Sequence, residues 1–230
     1  MNLRLSSAAL VASIAILTGC MTPPQTPVAL APQAFVAPAN NYGVFMTALP
    51  VVDTQFPGAD CLLCMAAASM MNSSLTSHTK TLPYEELPQL PAQVATVLKQ
   101  RGANVTMIEK LDFAALPDNG KAAPGFSRKD MSGLKASHKI DKLLVINLSM
   151  VGVERTFASY IPTSDPKAKV AGAAYIVNLT DNSYEWYVPL NVQKAADGKW
   201  DEPPTFPGVS NAYFQVLEMT KDQIIKPLSN

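Results

Sequence analysis

Apolar and polar positions along the chain fall into uniform runs, periodic runs and punctuated stretches, and each kind predicts a different element. Residues 21–41 are punctuated: Pro23, Pro24, Pro27, Pro32 and Pro38 interrupt an Ala- and Gln-rich stretch without a charged residue. That composition predicts an extended tether, or an arm seated on the body through Val28, Phe35 and Val36. The run from Val44 to Val52 reads as a first short strand or as more tether. Cys61 to Met71 is uniformly apolar apart from Ser69 and rich in Ala, Leu and Met, which favours a helix with Asp60 as N-cap. Periodicity alone leaves a buried strand open there. Leu87, Leu90, Val94, Val97 and Leu98 recur at helical spacing, and with Pro91 in the first turn and Gly102 after the last they predict a helix over Pro91 to Arg101.

Downstream the period changes. Val105 to Ile108 reads as a strand, Pro117 to Gly125 as a loop, and Ser127 with Asp130 as the capping pattern of a helix reaching Lys139. Leu143 to Leu148 is apolar with one break, as expected for the buried central strand of a βαβ crossover. Strands over Val153 to Ile161 and Val170 to Leu179 follow. Thr180 to Ser183 has turn chemistry, and Tyr184 to Val188 supplies the second arm of a hairpin. Phe214, Leu217, Ile224, Ile225 and Leu228 share one face of a closing helix over Asn211 to Lys226. The fold class is therefore α/β, a mixed sheet packed with helices, with a β-hairpin and a C-terminal helix.

The first twenty residues stand apart. Arg4 precedes an apolar run from Ala8 to Leu17, the architecture of a secretory signal, and the run is too short for a spanning helix of about 20 residues. Leu17-Thr18-Gly19-Cys20 resembles the lipobox of bacterial lipoproteins. The resemblance implies cleavage before Cys20, acylation of its thiol and new amine, and a chain divided into a signal (1–19), a lipidated tether (20–42) and one periplasmic body (43–230). Three acyl chains exceed the two signals that stable anchoring takes. Met21, standing where an aspartate would imply inner-membrane retention, implies the outer membrane of a Gram-negative host, with the body facing the periplasm. The order of elements over Leu87 to Leu228, with Asn178 to Trp186 across the hairpin turn, looks like the periplasmic domains related to the curli-secretion lipoprotein and the N-terminal domain of the Tol-system protein TolB.

Charge and candidate chemistry narrow the function. Eighteen basic and eighteen acidic side chains cancel to a net charge of zero with pI near 6.7, which offers no basic footprint for nucleic acid. Cys61-Leu-Leu-Cys64 has the spacing of thiol–disulfide oxidoreductases, but its apolar neighbours and the oxidising periplasm fit a structural disulfide, with inert buried thiols or a redox pair as alternatives. A metal site would need further ligands from His78 and His138, the two histidines, which lie on separate segments. No Gly-x-Ser-x-Gly elbow and no phosphate-cradling glycine loop is present, so neither a catalytic residue, a metal ligand nor a cofactor is assigned. Trp200 and Phe206, on a proline-stiffened loop, suit partner recognition, or else plug the sheet's edge.

The expectation is a non-enzymatic interaction or assembly module of the envelope, serving secretion, polysaccharide export or envelope maintenance. It is membrane-bound through Cys20 and engages other envelope proteins or copies of itself. The alternative is a periplasmic enzyme, a thiol–disulfide oxidoreductase above all. An enzyme would gather His78 or His138 with a nucleophile or carboxylate in one cleft.

Overall fold

The computed structural model describes residues 24–36, 40–121 and 123–229. The signal run and the Leu17–Cys20 motif lie outside the described residues.

Strand β4 (Lys142–Glu154) organises the sheet. Leu143, Leu144, Val145 and Ile146 are all buried, because both faces of this strand are covered; hence the unbroken apolar run rather than an alternation. On one edge β4 pairs antiparallel with β7 (Lys167–Asn178), which pairs antiparallel with β8 (Tyr184–Ala195). On the other edge it carries two short parallel partners end to end, β1 (Asn41–Met46) beside Lys142 to Ile146 and β2 (Asp53–Gln55) beside Gly152 to Glu154. Strand β3 (Asn104–Met107) lies outside β1 and parallel to it, so the order is β3-β1-β4-β7-β8. The crossover expected from Val105 to Leu143 thus exists, but it skips one position, which β1 fills. Between Leu148 and Met150 the β4–β7 register shifts. Opposite that bulge stands Gly172, where a Cβ would meet Asn147 O at 2.1 Å.

Helices α3 (Leu90–Gln100) and α5 (Pro207–Ser229) cover one face of the sheet. Leu90, Val94 and Leu98 from the first, with Tyr213, Val216, Leu217 and Ile224 from the second, meet Leu144, Ile146, Ile176 and Trp186 in one core. Pro91 sits in the first turn of α3, and Gly102 ends it at φ +83° with its N–H on Lys99 O. The opposite face is covered by the irregular segment 108–132 and α4 (Gly133–His138), through Ile108, Met131 and Leu134.

Several local expectations are corrected. Helix α1 (Leu62–Met71) is capped by Cys61, whose Sγ accepts the Cys64 N–H at 2.9 Å, and not by Asp60. The first strand spans Asn41–Met46, earlier than Val44 to Val52. Ser127 is buried on an isolated bridge segment rather than capping a helix, and Asp130 Oδ1 accepts from Ser132 N and from Asn182 Nδ2, so only Gly133–His138 is helical. The strand expected over Val153 to Ile161 is the end of β4 followed by a two-stranded hairpin, β5 (Phe157–Ala158) and β6 (Ile161–Pro162). Phe157 packs there against Phe56, Ala59, Cys64 and Ala68, outside the main sheet.

The tether is corrected over residues 24–36. Val28 exchanges two backbone hydrogen bonds with Tyr187, and Ala31 donates to Glu185 O, so the segment lies along the open edge of β8 as the arm alternative required. A one-turn 3-10 helix, Pro32–Phe35, buries Ala34 completely. Beneath it the buried Lys142 ammonium reaches Ala34 O at 2.6 Å, Gln33 O at 3.2 Å and Glu185 Oε2 at 2.7 Å. Asn178 Nδ2 donates to the other Glu185 oxygen at 3.0 Å. Phe35 stacks on Tyr42 and lies under the Arg101 guanidinium, 4.3 Å from its centroid.

Candidate interaction surface on helix α1

Helix α1 touches the body along a single stripe. Cys64 and Ala68, one turn apart, are buried among Phe56, Ala59 and Phe157. Leu62, Ala66 and Met70 recur at i, i+4 and i+8 on the side facing away. Leu62 is 88% exposed, Met70 77% and Leu63 69%, with Met65 and Met71 also exposed. An ordinary surface helix presents polar residues there. The sequence between Cys61 and Thr79 contains no Asp, Glu, Lys or Arg, so this outward face is apolar and uncharged. The β5–β6 hairpin extends it: Tyr160 and Ile161 are exposed, and the Tyr160 hydroxyl lies 3.7 Å from Cys61 Sγ.

The chain approaches this surface through Gly58, at φ +86° with Phe157 O where a Cβ would be. Cys61 and Cys64 are joined in a disulfide that closes the first turn of α1. Cys61 is exposed and Cys64 buried. The following α2 (Ser73–Thr79) anchors the helix pair to the body through the buried Leu75 and Thr79.

Structure brings His78 and Ser210 together, a contact that a sequence separation of 132 hid from sequence reasoning: Nε2 and Oγ are 2.7 Å apart. Ser210 lies in the first turns of α5 and its Oγ also donates back to Phe206 O at 3.1 Å. Thr205 O is also within reach of the Ser210 hydroxyl, at 3.3 Å, and which of His78 Nε2 and Ser210 Oγ donates depends on the imidazole tautomer. The Phe206 ring packs beside the imidazole at 5.6 Å, and burial lowers the His78 pKa. Cavities at the tyrosines of β7 and β8, between β1 and α3, on α5 and beside β2 are lined by other side chains. The pair fastens α2 to α5. Among the described residues no group of three His, Cys, Asp or Glu is placed to hold a metal.

Phe206 does not face a partner. It is 2% exposed and packs with Leu75, Val153 and Val209, so the plug alternative holds for this residue. Trp200 is half-buried against the same cluster, with the Arg155 guanidinium 4.7 Å from its ring, while Arg155 is itself fixed by Asn72 Oδ1 and Ser164 O. What sequence reasoning missed as a surface, α1, carried a readable signal: eleven residues without a charge cannot all be buried by one helix packed on one side.

Among the described residues no helix is long and apolar enough to cross a membrane. No family model matches the chain, and no curated protein matches it. Among solved structures the chain is similar to a PelC dodecamer from Paraburkholderia phytofirmans, with 10% identity over 90% of this chain and 94% of that one and a TM-score of 0.34. It is also similar to lipoprotein GNA1162 from Neisseria meningitidis, with 12% identity over 83% and 99% and a TM-score of 0.29. A protein from Xanthomonas campestris assigned to family model DUF330 matches at 13% identity over 61% of each chain, with a TM-score of 0.28.

Proposed function

We propose that the chain is an envelope lipoprotein, held at the outer membrane by acyl groups on Cys20, whose body is a non-enzymatic interaction module that associates with copies of itself through α1. The observation that carries this reading is the outward face of α1, where large apolar side chains meet water over a helix seated only by Cys64 and Ala68. Contiguous exposed apolar surface marks a site that another surface covers. A second copy fits because an uncharged face meets its own image without like-charge repulsion, and two-fold pairing needs only self-complementarity. The face also lacks the basic side chains that hold amphipathic helices on anionic lipid.

Light scattering on the full chain purified in detergent tests this. The wild type is expected to elute as an oligomer, and Leu62→Glu with Met70→Glu at the protomer mass with an unchanged melting temperature. A wild-type protomer at about 100 μM, some tenfold above a Kd of about 10 μM, would refute self-association of that strength or better. The exposed Cys61 at a helix N-cap also favours a second reading, thiol–disulfide exchange, since helix-end amides stabilise a thiolate there. Insulin reduction by the purified body, abolished in Cys61→Ser, would establish that reading in its place.

A further inference from the structure

The face of the sheet opposite α3 and α5 bears a cavity of about 470 Å³, in the range of small-molecule sites. Register builds its wall. Tyr175 on β7 is the cross-strand partner of Tyr187 on β8, and Tyr184 enters from the start of β8. The three rings are mutually in contact, with centroids 5.0 to 5.8 Å apart. The arm forms part of the rim: Pro24 and Gln25 line the cavity, and Gln25 Oε1 accepts from Gly125 N at 2.7 Å.

Several of its polar groups are unspent. Among the described residues the Tyr175 and Tyr187 hydroxyls make no hydrogen bond and the exposed Arg128 guanidinium has no acceptor, whereas Lys129 is taken up by Asp118, Leu116 O and Ala114 O. Asn147 accepts from Thr47 Oγ1 through Oδ1, leaving its amide N–H groups for the cavity. No lining residue is a carboxylate. Burial raises the pKa of all three tyrosines, which keeps the hydroxyls protonated, and the Arg128 charge opposes that rise at Tyr184 and Tyr187. Arg128 lines the same cavity as these rings.

We propose that this cavity binds an anionic sugar unit, a pyranose carrying a carboxylate or phosphate. A pyranose offers an apolar ring face to the tyrosines and hydroxyls around its edge to the phenols and Asn147, and its acid group pairs with Arg128. An acyl chain would strand those hydroxyls and the guanidinium without partners, and a bare phosphate would leave the aromatic wall unused. Because Pro24 and Gln25 form the rim, an occupied cavity also holds the arm in place, and a docked arm raises affinity by the same factor.

Titration calorimetry on the full chain in detergent tests the assignment with a galacturonic acid trisaccharide, glucose 6-phosphate and neutral cellotriose as probes. At least one acidic probe is expected to bind about tenfold or more tighter than cellotriose, a margin of about 1.4 kcal/mol. Arg128→Gln, at an exposed position, should abolish that margin, and Tyr187→Phe should weaken every sugar. The galacturonate arm tests a glycan source, the sugar phosphate arm a phosphorylated headgroup. Equal binding of neutral and acidic sugars, no binding of any probe at millimolar concentration, or binding only to phosphatidylglycerol vesicles would overturn it.

Discussion

Phe206 stands at φ +42° with its ring sunk between Leu75, Val153 and Val209, so its removal leaves a hole that neighbours from three elements cannot close together. Phe206→Ala is expected to lower the unfolding free energy by about 3–5 kcal/mol in urea titration, and Trp200→Ala, half-buried, by clearly less. The imidazole beside that ring has a different signature. Burial holds His78 below its ordinary pKa of 6.5, so the unfolded chain takes up this proton first as pH falls. Its contribution is fully present above 6.5 and is lost as pH drops below it. Chemical denaturation at about pH 7.5 and about pH 5.5 should show that loss, and His78→Gln should remove it. Asp130 and Asp181 are held below the ordinary aspartate value and titrate beneath this window. The disulfide closes a loop of only four residues, for which chain entropy amounts to about 2 kcal/mol. Reductant should therefore loosen the start of α1 without unfolding the body.

At the scale of elements, the arm is held by a buried charge as well as by Ala34, Leu30 and Phe35 packed on the core. Lys142 is anchored by Glu185 and by two arm carbonyls, and truncating it leaves the Glu185 carboxylate buried and unpaired. Lys142→Met should cost about 3–5 kcal/mol and free the arm to proteolysis, while Lys142→Met with Glu185→Leu should restore most of the stability without restoring the arm. The docked arm was one of two alternatives in the sequence, but the ion pair beneath it was not legible, because Lys142 and Glu185 stand on different strands far apart along the chain. Elements with a strong period of their own were legible: α3, the apolar run of β4, the β7–β8 hairpin and α5 lie close to where Leu90, Leu143, Tyr184 and Phe214 put them. The failures fall where tertiary contacts override local pattern. Ser127 and Asp130 have cap chemistry, but Asn182 claims the Ser127 and Met131 amides from a distant turn. The apolar run of α1 is nearly uniform, so its pattern does not say which side of the helix another element covers.

For the whole molecule, docking of the arm leaves few residues between Cys20 and the body. If Cys20 carries the acyl groups, four Cα–Cα steps separate it from Pro24, a contour of at most about 14 Å, where twenty free residues would span about 60 Å. The body is then held close to the headgroups at its tyrosine end. Helix α1 sits beyond the other end of β4: Tyr187 lies level with Val145 across Tyr175, β2 pairs near Glu154, and the nine steps between span about 30 Å. A body standing on its arm thus presents α1 clear of the lipid, where a second anchored copy can meet it. Single fluorescent labels at Gln25 and Leu62, in vesicles with quencher-bearing headgroups, read this directly. Quenching should be strong at position 25 and weak at 62. A Cys20→Ala chain should leave the membrane fraction, and mass spectrometry of the wild type should find a triacylated peptide beginning at Cys20. Equal quenching at both positions would mean that the body lies flat with α1 against the bilayer, and the face assigned to a second copy would then belong to lipid.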